Sequence, residues 1–178
     1  YRFSAFGDVA MTVPIFREFL EQNQDVEIVF ISRKNFKDLF ADINPRLSFH
    51  GVDFDDYKGV FGIRKLARKL LKTFEPDFVA DFHDVIRTKM IDTIFRRNGF
   101  KVYKIDKGKE EKERLTDVWN LDKIQLRKTV ERYADILRAM GFSLDLSHHL
   151  RPINDEKSGI GFAPFAQHKG KMMLHETS

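Results

Sequence analysis

The sequence predicts a doubly wound α/β fold with a mostly parallel sheet, and three observations point there. Apolar runs of strand length alternate along the chain with amphipathic helical segments. Val26–Ser32 (V-E-I-V-F-I-S) reads as a strand buried on both faces, as parallel strands usually are. The chain opens on a strand end that feeds directly into a helix. Taken in order, Tyr1 and Phe3 end a first strand, Gly7 suits a tight turn, and Val9, Val13, Phe16 and Leu20 recur at helical spacing. Further strands are expected at Leu47–Val52, Asp77–Phe82 and Lys101–Ile105. Helices are expected at Thr12–Gln22, Asn35–Ala41, Gly59–Phe74, Val85–Arg97 and Leu126–Met140, the last closed by Gly141 where a C-cap prefers glycine.

Asp8 then falls at the C-terminal edge of the first strand, the edge where open α/β sheets bind ligands. Two roles fit it. A helix N-cap is what Asp most often does at a helix start. The same position also puts its carboxylate where a ligand would bind.

Composition narrows the function classes. With 178 residues, 42% hydrophobic and 33% charged, the chain can bury one core and begin a second, as a soluble globular protein. No apolar run approaches the roughly 20 residues that span a bilayer, and no signal peptide is visible where the chain opens inside a strand. The lack of cysteine suits the cytoplasm and leaves no thiolate metal site. A net charge of +4 is too small to argue for nucleic acid, and Trp119 and the Phe residues read as core rather than as base-stacking platforms. His83, His148, His149 and His168 do not make a recognisable metal motif, so neither a metal nor another cofactor is expected. The absence of Gly-x-Gly-x-x-Gly after a strand disfavours a dinucleotide oxidoreductase, and Met172 after Gly170-Lys171 excludes a P-loop.

Charge is unevenly placed. Arg64, Lys65, Arg68, Lys69 and Lys72 share one side of a helix whose other side carries Ile63, Leu66, Ala67, Leu70 and Leu71. That side is either a solvated surface or a site for an anionic partner. Arg87, at a helix start past the sheet edge, can bind a carboxylate bidentately or pair structurally with Asp81 or Asp84. Residues 1–150 are expected to form one domain, the polar stretch 151–159 (R-P-I-N-D-E-K-S-G) an interdomain linker, and 160–178 the start of a truncated second domain.

Several segments together carry a family resemblance. The opening R-F-S-A-F-G-D-V-A-M-T-V-P, with Arg2, Ser4, Gly7, Asp8, Val9 and Pro14, resembles the start of the bacterial lipopolysaccharide heptosyltransferases, glycosyltransferase family nine. Phe74–Thr88 resembles that family's Asp-ended strand followed by Arg-Ser or Arg-Thr, Leu126–Gly141 its Arg-Tyr helix ending in Gly, and Gly161–Lys171 the first strand and loop of its donor domain. Hydroxyl residues that precede the donor-domain Lys in many members are replaced here by Ala166 and Gln167.

The resemblance implies a Rossmann-like, acceptor-side half of a two-domain B-type glycosyltransferase. It implies an inverting transfer of heptose or a related sugar from a nucleotide-diphosphate sugar, such as ADP-heptose, to an anionic glycolipid acceptor. Asp8 would be the general base, Arg64, Arg68, Lys72 and Arg87 would hold the acceptor's anions, and Lys171 would meet the donor's phosphate. The implied location is cytoplasmic, with peripheral contact at the inner membrane, and the chain alone is expected to be inactive. The rival reading is a non-catalytic module that holds anionic lipid or polysaccharide on the basic helix.

Overall fold

A computed structural model describes residues 1–116 and 125–146. Trp119, the linker 151–159, the segment 160–178 with Lys171, and His148, His149 and His168 lie outside the described residues. Two parallel strand pairs form the sheet. β1 (Ile28–Arg33) pairs in register with β2 (Leu47–Val52), and β3 (Val79–Asp81) pairs with β4 (Val102–Lys104).

The N-terminal segment joins the two pairs. Tyr1 N–H donates to the Ala80 carbonyl at 2.7 Å and Phe82 N–H returns to the Tyr1 carbonyl at 3.1 Å, the staggered pattern of a parallel bridge. On its other side Arg2 N–H donates to the Ile31 carbonyl at 3.2 Å, and Arg33 Nε donates to the Phe3 carbonyl at 2.9 Å. The spatial order is therefore β2, β1, the Tyr1–Ser4 segment, β3, β4, and counted along the chain this is the doubly wound order from one edge to the other.

Helices cover both faces, as expected. α1 (Phe6–Ala10), α2 (Thr12–Gln22) and α6 (Thr129–Ala139) pack on one face, where Phe16, Phe19, Leu20, Tyr133 and Leu137 meet Phe30 and Phe82. α3 (Gly59–Thr73) and α4 (Ile86–Arg97) pack on the other, where Ile63, Leu66, Leu70, Ile91 and Phe95 meet Tyr1, Phe3, Ile31 and Val79. Phe30 and Ile31 go to opposite cores because successive strand residues face opposite ways. Gly141, at φ 100°, closes α6 with its N–H on the Arg138 carbonyl at 2.9 Å.

Three local expectations are corrected. Gly7 lies inside α1 rather than in a tight turn, and the helical run from Val9 to Leu20 is split at Met11. Pro14 explains the split: it has no N–H to give the Ala10 carbonyl, so a new helix starts at Thr12 with Pro14 in its first turn, where no donor is needed. The Asn35–Ala41 segment is a 3-10 helix, Lys34–Phe40, which lacks a side-chain cap and buries only Phe36 and Phe40. α5 (Lys109–Thr116) was not expected, since it buries no residue and so leaves no apolar stripe to read.

Candidate functional site

The C-terminal ends of the parallel strands gather the chemistry. Ser4, Arg33, Val52, Asp81 and Lys104 end their segments at one edge, and the turns beyond them supply Asp8, Phe54, His83, Asp84 and Arg87.

Asp8 does not cap a helix. The N-cap of α1 is Ala5, no side chain caps that end, and the Asp8 carboxylate sits within the helix's first turn. It is ion-paired to the Arg2 guanidinium, with the Asp8 side chain 37% exposed and that of Arg2 only 9%. Arg2 is fixed from three directions. It donates to the Asp8 carboxylate and to the Phe82 carbonyl, and its guanidinium lies 5.5 Å from the centre of the Tyr133 ring. Tyr133 in turn donates from its hydroxyl to the Asp8 carbonyl at 3.4 Å, and burial pushes its phenol up to about 12. One oxygen of Asp8 is thus held by a buried cation while the side chain opens to solvent.

His83 stands beside this group. Its Nε2 is 3.2 Å from Ser4 Oγ, linking the end of β3 to the turn that carries Asp8. Burial, with Arg2 and Lys107 adding repulsion, lowers the imidazole to about 4, so it is neutral at physiological pH. The turn itself is held by Asp81, whose Oδ1 accepts from His83 N–H at 2.8 Å and Asp84 N–H at 3.1 Å. Among the described residues no group of three or more His, Asp or Glu is arranged to hold a metal ion.

A second constellation adjoins the first. Phe54 packs edge-on against Phe3 at 4.8 Å, and two guanidiniums flank it, Arg87 at 4.4 Å and Arg33 at 5.5 Å. Arg87 is exposed and makes no ion pair among the described residues, so the structural pairing with Asp81 or Asp84 does not form. Asp84 instead faces Lys89 at 3.6 Å and Lys104 at 3.9 Å.

Arg64, Arg68 and Lys72 are exposed on α3, but they do not share one place. α3 begins at the strand-end edge and runs back along the sheet. At the helical rise Arg64 is about 8 Å from its start, Arg68 about 14 Å and Lys72 about 20 Å. The structure therefore brings Asp8, Arg87 and the start of α3 to the same edge and carries Arg68 and Lys72 away from it. Lys171 lies outside the described residues.

Arg2, Ser4, His83, Tyr133, Arg33 and Phe54 were not among the expected site residues. Arg2 and Ser4 lay in the opening motif and Tyr133 in the Arg-Tyr helix, and Arg2 also stood out as a charged residue between Tyr1 and Phe3 in a segment expected to be buried. These residues meet only in the folded chain, Ser4 with His83 across 79 positions and Tyr133 with Asp8 across 125, while Arg33 and Phe54 come together around Phe3.

Neither protein-family models nor curated proteins match the chain by sequence. Among solved structures, the chain is similar to the crystal structure of the glycosyl transferase family 9 from Veillonella parvula DSM 2008, with a TM-score of 0.55 and 17% identity. The match covers 79% of this chain and 40% of that one, so this chain spans less than half the length of its structural neighbour. At that identity the likeness is one of fold.

Proposed function

We propose that this chain forms the acceptor side of an inverting glycosyltransferase, with Asp8 as general base. One observation supports the reading most directly: in a fold shared with a family 9 glycosyltransferase, Asp8 is released from helix capping and presents a solvent-reached carboxylate at the ligand edge of the sheet. In this reading the acceptor hydroxyl attacks the anomeric carbon of a nucleotide-diphosphate sugar. A new carbon–oxygen bond forms on the face opposite the departing diphosphate, and the hydroxyl proton passes to the free oxygen of Asp8. Arg2 orients the carboxylate by holding its other oxygen. His83, neutral, meets Ser4 through Nε2 and so places a hydrogen-bonding group rather than a second cation beside Asp8.

The finer assignments belong to the same proposal. Heptose carried on ADP is the donor the sequence resemblance favours, with a lipopolysaccharide-type acceptor bearing carboxylates or phosphates. Arg87 and Arg64 bind those anions at the edge, Arg68 and Lys72 extend the field along α3, and Lys171 meets the donor phosphate. General-base assistance is worth about a hundred- to ten-thousandfold. In the enzyme carrying this chain, Asp8→Asn should lower turnover by that order, measured as nucleoside diphosphate release from ADP-heptose with a core-oligosaccharide acceptor. Full activity in Asp8→Asn, with the parent enzyme active under the same conditions, would remove Asp8 from the mechanism.

A further inference from the structure

A cavity of about 130 Å³ lies between the outer strand β2 and α3, apart from the turn that carries Asp8. In the sheet order β2 stands two strands from the Tyr1–Ser4 segment, about 10 Å away at about 4.8 Å per strand. His50 and Val52, two positions apart on β2, face the same way, and Val52 packs in the core that holds Leu66 of α3. Buried Leu66 lines the cavity, and Lys69, three positions further along the same side of the helix, lines it too. The 3-10 turn Phe54–Tyr57 ahead of α3 supplies Tyr57, and Lys69 Nζ donates to its hydroxyl at 3.4 Å.

The polar lining falls into two halves. Lys34 is ion-paired to Asp53, whose other oxygen accepts from Asp55 N–H at 3.1 Å, and the charge of Asp56 also acts on Lys34. That half carries its own counterions. In the other half Lys69 makes no ion pair, Tyr57 gives its hydroxyl proton to no acceptor, and His50 has no hydrogen bond on either ring nitrogen, among the described residues. Burial, with Lys69 adding repulsion, holds His50 below its ordinary 6.5, and no carboxylate offsets that. Three donors thus meet one cavity with a positive charge that no acidic side chain pairs.

Size selects the class of ligand. At about 30 Å³ per water the cavity has the volume of about four waters, well below the roughly 300 Å³ where sites for cofactors and drug-sized ligands begin. A nucleotide-diphosphate sugar or an oligosaccharide is too large for it. We propose that this cavity binds a small tetrahedral oxyanion of the phosphate or sulfate class, held by Lys69 Nζ, the Tyr57 hydroxyl and a ring N–H of His50. The bound ion bridges β2, the Phe54–Tyr57 turn and α3, and that turn carries Phe54, on which Arg87 rests. The site goes beyond the glycosyl-transfer reading. It uses none of Asp8, Arg64, Arg68, Lys72 or Arg87, and its test needs no turnover, so either reading can fail alone.

The test is titration of the chain with sodium sulfate and with inorganic phosphate at constant ionic strength, read by calorimetry and by the His50 ring proton in NMR, assigned from His50→Gln. Sulfate stays a dianion, so its own protonation does not enter. Binding should move the His50 signal and raise its pKa, and sulfate affinity should rise as pH falls from about 7.5 to about 5.5, a dependence that His50→Gln removes. Charge-assisted contacts are the stronger ones, so Lys69→Gln should weaken sulfate binding about ten- to a hundredfold and Tyr57→Phe about three- to tenfold. Lys65→Gln, on the same helix but outside the cavity, should change it less than about twofold. Lys69 is exposed, so its variant should keep the parent's thermal midpoint. Four results would overturn the proposal. One is no saturable binding of either ion up to about 10 mM. Another is a His50 signal that sulfate leaves unmoved. Equal weakening by Lys65→Gln and Lys69→Gln would assign the binding to the general charge of α3. Tighter binding of glucose 6-phosphate than of inorganic phosphate would make the cavity the end of a larger sugar site.

Discussion

Removing Arg2 should separate its structural work from that of Asp8. In Arg2→Met the chain loses a charged hydrogen bond to the Phe82 carbonyl, a contact with the Tyr133 ring and the ion pair with Asp8. A hydrogen bond to a charged group contributes about 1.5–3 kcal/mol and a partly desolvated cation–π contact about 1 kcal/mol. The ion pair adds about 1 kcal/mol at most, because Asp8 is 37% exposed and water screens it. Against this, the buried Arg2 Nε has no partner, and Met fills much of the volume without burying it. The net expectation is a destabilisation of about 2–3 kcal/mol for Arg2→Met. Asp8→Asn, which keeps an oxygen for Arg2, should lose about 1 kcal/mol. In a double-mutant cycle the two should couple by about 0.5–1 kcal/mol, read from urea unfolding at neutral pH with the denaturant slope unchanged. Additivity within about 0.3 kcal/mol, or Arg2→Met as stable as the parent, would refute the idea that Arg2 holds the Asp8 carboxylate.

The remaining predictions concern pH and backbone fit. His83 falls from 6.5 to about 4 in the folded chain, so below pH 6.5 the unfolded state takes up a proton that the folded state refuses. Its contribution to stability is complete above pH 6.5 and lost as pH falls toward 4; His83→Asn should abolish that loss in urea titrations taken across the range. Asp92 has the opposite sign, since burial lifts it from 3.8 to about 6 and its Oδ2 has no partner. Stability tied to Asp92 should rise as pH falls from above 6 toward 3.8, and Asp92→Asn should flatten that rise while stabilising the chain at neutral pH. Between pH 4 and 6 the two groups oppose each other, so the parent should vary less there than either variant. A Cβ on Gly62 would stand 2.3 Å from the Tyr57 carbonyl carbon, so Gly62→Ala should destabilise by about 1–3 kcal/mol in thermal melts, whereas Gly7→Ala, with nothing within 4 Å, should be neutral or stabilising.

Periodicity and composition by themselves determined the layer architecture, because each strand and each long helix carries its own apolar pattern whatever its partners are. Val26–Ser32, Gly59–Phe74 and Leu126–Met140 were legible for that reason, and so was the placement of Asp8 past a strand end. Where an element buried little, as in α5, or where a single proline reset the hydrogen-bond ladder, as at Pro14, the pattern misled or was silent. The role of Asp8 was open in the sequence, since a cap and a free carboxylate share the same residue and spacing. Only tertiary structure decided against the cap, by placing Arg2 from one strand, Phe82 from another and Tyr133 from α6 around the same turn. The basic stripe of α3 likewise looked like one site, until the direction of the helix separated Arg64 at the edge from Lys72 at its far end. Local sequence sets which side chains share a face, but contacts between residues distant in the chain depend on how the sheet is ordered, and that order is set by packing of the whole core.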